Sequence, residues 1–109
     1  MTETKNRYMR IILMYDIYSV DEKNKEYTNF KKHILSLGYF MIQYSVYCKN
    51  ISVHTQFDSE IKKLSSKIPN RANIRILLLT ENQYQNMIIL SGEKSLNEIY
   101  NERDKYIEL

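Results

Sequence analysis

Apolar and polar positions divide the chain into short blocks. In the first, Met9, Ile11, Leu13 and Tyr15 alternate with Tyr8, Arg10, Ile12, Met14 and Asp16. A strand over Tyr8–Asp16 is therefore apolar on both faces and ends on a carboxylate. Ser19 and Glu22 have capping-box spacing, in which hydroxyl and carboxylate satisfy the free amides that open a helix. Tyr27, Phe30, Ile34 and Leu35 then form one apolar stripe, with Lys25, Lys31 and Lys32 off it, and Gly38 supplies the stop. The aromatic and β-branched run "YFMIQYSVYCKN" predicts extended chain over Tyr39–Lys49, broken near Gln43. From Val53, the positions Phe57, Ile61, Leu64 and Ile68 recur at helical spacing until Pro69 and Asn70, with Lys62, Lys63 and Lys67 outward. "IRILLLT", Ile74–Thr80, predicts another strand, "ENQYQN" a polar turn, and "MIIL" a short extra strand.

The order strand, helix, strand, strand, helix, strand predicts an α+β, ferredoxin-like βαββαβ fold with an extra C-terminal strand. Right-handed crossovers put both helices on one face of an antiparallel sheet. The second face is also apolar, and an uncovered apolar sheet is an aggregation liability. The expectation is a two-fold homodimer in which a second copy supplies the cover, with "MIIL" pairing across the chains. Residues 1–92 form the domain, and 93–109 a mostly polar tail suited to docking a partner.

Composition narrows the function classes. The 109 residues suffice for one domain with a core, and 43% hydrophobic with 27% charged residues is the balance of a folded chain. A single cysteine, Cys48, closes no internal disulfide, and the N-terminus lacks the order of a secretion signal, so a cytoplasmic location is expected. No apolar run approaches the roughly 20 residues that span a bilayer, so no membrane association is expected. A net charge of +3 suits a polyanionic partner.

Candidate chemistry gathers at the end of the first strand. Asp16 shares the parity of Ile12 and Met14 and points towards the inferred dimer cleft. Two such aspartates about a dimer axis fit a hard cation such as Mg²⁺, which takes a few protein oxygens and keeps waters, and which activates water against a phosphodiester. A turn-forming aspartate bonded to nearby amides occupies the same position. His33 and His54 have no zinc-ligand spacing, Cys48 reads as a packed thiol, and two glycines build no phosphate loop. Tyr15, Tyr18, Tyr44 and Tyr47, of ten tyrosines, frame the Asp16 end, where they suit either an interface or contact with bases and phosphates. Lys62, Lys63, Lys67, Arg71 and Arg75 form a candidate nucleic-acid stripe, although a solvated helix face has the same pattern.

"MRIILMYDI", then a capped helix, "GYFMIQYSVYCK", a basic helix and "IRILLLTENQYQNMIIL" together resemble the CRISPR-associated Cas-two family, type II-like, from Tyr8 to Gly92. The resemblance implies a ferredoxin-like homodimer that joins the Cas-one integrase, binds double-stranded prespacer DNA and takes part in spacer acquisition. Asp16 matches the family's strand-end aspartate, implying a catalytic Mg²⁺ ligand of an endonuclease acting on single-stranded RNA or on duplex DNA. Other members often have a proline or an acidic, arginine-containing start after that aspartate; here "IYSVDEKNK" offers Tyr18 and no arginine. The departure favours the scaffold role over the nuclease. A toxin-like ribonuclease of the virulence-associated D type is the further alternative.

Overall fold

The computed structural model describes residues 8–18 and 25–107, with side chains as far as residue 102. The Ser19–Glu22 capping box lies outside these residues. The elements are β1 (Met9–Ile17), α1 (Lys25–Ser36), β2 (Phe40–Gln43), β3 (Val46–Ile51), α2 (Gln56–Ser65), β4 (Ala72–Thr80), α3 (Glu81–Gln85) and α4 (Leu96–Ile107). Four strands lie in the order β2-β3-β1-β4. β1 pairs antiparallel with β3 from Met9↔Ile51 to Met14↔Val46, and with β4 from Met9↔Thr80 to Ile17↔Ala72. This is the ferredoxin-like arrangement the block order predicts.

The two faces of β1 build two cores. Ile11, Leu13 and Tyr15 pack with Phe30 and Ile34 of α1, Leu64 of α2, and Tyr39, Tyr47 and Ile51. Tyr15 meets Phe30 edge-on at 5.1 Å and stacks with Tyr47 at 5.9 Å, geometries that suit ring quadrupoles. Ile12 and Cys48 pack on the opposite face beneath Tyr84, with Met14, Phe40, Ile42, Val46 and Leu79 beside them. α1 ends as its sequence requires. Gly38 takes φ +97°, Tyr39 N–H donates to Ile34 O and Gly38 N–H to Leu35 O, which together close a Schellman motif.

Several expectations are corrected. The α2 stripe is rotated: Phe57, Glu60 and Leu64 turn inward while Ile61 and Ile68 are exposed. Glu60 takes the inner place because Tyr39 Oη donates to it at 3.1 Å and Lys49 Nζ at 2.7 Å. Leu35 is likewise exposed, at the last turn of α1. "ENQYQ" forms α3, because Thr80 accepts from Gln83 N–H while the Gln83 side chain accepts from Thr80 N–H. That cap turns the chain off the sheet at the end of β4, so the extra C-terminal strand at Met87–Leu90 does not form within the chain. Ile88 and Leu90 are 80% and 95% exposed. The polar tail contains α4, which lies over the β2–β3 half of the second face. There Asn101 Oδ1 accepts from Asn50 Nδ2, Asn97 Nδ2 donates to Met41 O, and Tyr84 Oη donates to Glu98. The second face is thus covered in part by the chain's own α3 and α4. Among the described residues, no helix is long and apolar enough to cross a membrane.

Candidate functional site

The site lies at a step in the sheet. The β1–β3 ladder ends at Met14↔Val46, with one further bond from Tyr15 N–H to Ser45 O at 3.2 Å, whereas β1–β4 continues to Ile17↔Ala72. Between Gln43 and Val46 the hairpin turns through Tyr44 and Ser45, and Ser45 has φ 60°, the left-handed backbone that the tight reversal demands. Where β3 turns away, a groove of about 290 Å³ opens, lined by Met14, Tyr15, Asp16, Tyr44, Ser45, Val46, Asn73 and Arg75.

Asp16 is exposed and lies opposite Asn73 in the β1–β4 register, two rungs beyond the Met14–Arg75 pair and on the same face. Arg75 is also exposed, and its Nε donates to Asn73 Oδ1 at 3.4 Å. The five basic positions therefore do not form one stripe. Lys62 and Lys63 are exposed on α2, and Lys67 just beyond its end, with Lys63 3.8 Å from Glu60. Those lysines lie on the helical side of the sheet, and Arg71 precedes β4, its carbonyl accepting from Tyr18 N–H. Arg75 projects from the second face, because β4 alternates about the inward Ile74 and Ile76, and so joins Asp16. The sheet separates it from the lysines.

The tyrosines divide in the same manner. Tyr15 and Tyr47 are buried in the helix-side core, and burial raises the Tyr15 hydroxyl pKa, with Tyr47 adding to the rise. Tyr18 and Tyr44 remain exposed, Tyr44 at the rim of the groove. Cys48 is a packed thiol: burial pushes its pKa up to about 11, despite the lowering effect of the neighbouring Arg10. His33 is spent on a hydrogen bond with Lys63 O at 2.9 Å, and His54 is exposed.

Among the described residues, no three His, Cys, Asp or Glu side chains converge as a metal site. Mg²⁺ is commonly held by one or two carboxylates with retained waters. Within one chain Asp16 supplies a single exposed carboxylate to the groove, one of the one or two that such an ion takes from protein.

Sequence reasoning passed over the polar group beneath α3. Arg10 is fully buried, Nε and Nη2 donate to Glu81 at 2.8 and 3.0 Å, and its guanidinium lies 3.8 Å from the centre of the Tyr84 ring. The available signal was a charge within an otherwise apolar strand, which must find a partner on the covered face.

A ferredoxin-like sheet with a carboxylate where its first strand outruns its neighbour defines a class that comparison with known proteins makes specific. The sequence profile of the family described as CRISPR associated protein Cas2 matches residues 9–87, and the chain belongs to that family. Relatives named CRISPR-associated endoribonuclease Cas2 include one from Streptococcus mutans, 39% identical over 79% of this chain and 80% of the relative. Those of Campylobacter jejuni and Ligilactobacillus salivarius are 34% and 33% identical, over 89% and 93% of this chain and 68% and 100% of the relatives. A solved structure described as a crystal structure of cas2 superposes with a TM-score of 0.57 at 18% identity, covering 82% of this chain and 92% of that one, and so shares the fold.

Proposed function

We propose that the chain is a two-fold homodimeric scaffold of spacer acquisition, acting in the cytoplasm, that holds duplex DNA on its basic helical faces and partners the Cas-one integrase. The observation that carries this reading is the separation of faces. Lys62, Lys63 and Lys67 are exposed on the helical side, and Asp16 and Arg75 on the opposite side of the sheet. Phosphate contact and self-association then use different surfaces and do not compete. Lysine contacts to phosphate carry no sequence information, which suits a protein that accepts any invading DNA.

The second reading is an endoribonuclease, the activity in the relatives' names, which in this chain would work through Asp16. It is favoured by the open groove beside Asp16 and the exposed Tyr44 ring at its rim. In that reading Asp16 from both copies holds Mg²⁺, which when bound activates water against the phosphodiester.

Reconstituted integration with the matching Cas-one protein separates the two. Asp16→Asn removes the carboxylate charge and keeps the side chain's size. At concentrations where light scattering shows the variant dimeric, the scaffold reading expects integration at the wild-type rate. Integration lost by an intact dimer overturns it and makes Asp16 chemistry part of the reaction.

A further inference from the structure

Asp16 and Arg75 have opposite charges, lie on adjacent strands and are two rungs apart in register, so they face the same side. They do not pair with each other within the chain. Among the described residues, Arg75 makes a long bond to Asn73 and no ion pair involves Asp16 or Arg75. Around them, Met14 is half-buried and Leu77 is 39% exposed, whereas the β2–β3 half of the same face lies beneath Tyr84 and α4. The area left for a second sheet is therefore the β1–β4 half: Met14, Asp16, Asn73, Arg75 and Leu77.

We infer that a second copy of this chain seats on that half of the sheet, with Asp16 bonded to Arg75 of the partner subunit and, reciprocally, Arg75 to Asp16 of the partner subunit. The inference rests on the dimer proposed above and assigns its clasp. In a two-fold contact, a residue i that meets j is matched by j meeting i, so an axis passing between the two side chains exchanges acid for base. Arrangements that set Asp16 against its own copy bring like charges together, which is unfavourable unless a proton or cation intervenes. Offsetting the sheets by that two-residue step replaces the repulsion with two Arg–carboxylate pairs, whose fork geometry fixes register as well as attraction. The apolar Met14 and Leu77 beside the pairs exclude water from them.

Charge reversal is the test. The full chain, Asp16→Arg, Arg75→Asp and the double variant are compared by sedimentation across a concentration series, with circular dichroism confirming the fold; both sites are exposed, so the fold tolerates the changes. Each single variant sets like charges against each other and is expected to weaken the dimer about tenfold or more, and the double variant to recover most of that loss. A double variant as weak as either single, or singles that dimerise like wild type, overturns the clasp while leaving a dimer of other geometry. A wild-type dimer that dissociates on chelation, with no recovery in the double variant, also overturns it and points to a cation bridging two Asp16 carboxylates. A monomeric wild type removes the dimer reading and the clasp together.

Discussion

Arg10 ties the central strand of the sheet to the helix at the far end of β4. A buried guanidinium is costly unless its donors are satisfied, and here a bidentate carboxylate, an aromatic face and a thiol sulfur 3.7 Å from Nη1 surround it. Glu81 begins α3, so the ion pair fixes the direction in which the chain leaves β4, and the Tyr84 ring completes the cover over Cys48. Removing one partner leaves the other charge without its counterpart. Arg10→Met is expected to lower the unfolding free energy by about 3 kcal/mol or more, and Arg10→Met with Glu81→Gln to lose less than Arg10→Met alone. Urea denaturation with an unchanged m-value checks both; a double variant at least as damaged as the single would show that Arg10 acts by packing alone.

Among the elements, β1, β4 and α1 were legible because local pattern and tertiary role agree. Alternation marks both faces of β1, and the stripe of α1 is the side that packs, except at Leu35. α2 was legible as a helix but its inward face was not: apolar periodicity favoured Ile61, whereas a carboxylate three residues after Phe57 found Tyr39 and Lys49 across the fold. Nothing local to Glu60 records those partners. The same limit hid the division of the basic residues, since strand parity sends Arg75 to one side and α2 carries its lysines on the other. Asp16 was legible as a strand-end carboxylate, but its company in Asn73, Arg75 and Tyr44 depends on strand register. α3 could have been read from Thr80 and Gln83, whose spacing is that of a capping box, but a polar turn has the same composition. That cap has a measurable reach, because Tyr84 links α3 to Glu98 of α4. Thr80→Ala is expected to cost about 1 kcal/mol and to speed amide exchange in α4 as well as in α3. Faster exchange confined to α3 would show that α4 holds its place without it.

At the scale of the whole molecule, charge is distributed by side. The helical face carries Lys62, Lys63 and Lys67 towards solvent, and the opposite face carries the mixed pair Asp16 and Arg75. A duplex drawn by counterion release belongs on the former. If each lysine neutralises one phosphate, replacing all three by alanine removes about three released counterions per chain. The slope of log binding constant against log salt then becomes shallower by about 2.7 per chain, and by twice that for a duplex lying across both subunits of a dimer. Arg75→Ala is expected to leave the slope unchanged when binding is measured at protein concentrations that keep the dimer intact. Fluorescence anisotropy of one duplex between low and physiological salt reads both. A slope that responds to Arg75 and not to the lysines would move the nucleic acid to the Asp16 side of the sheet, and with it the balance from scaffold to nuclease.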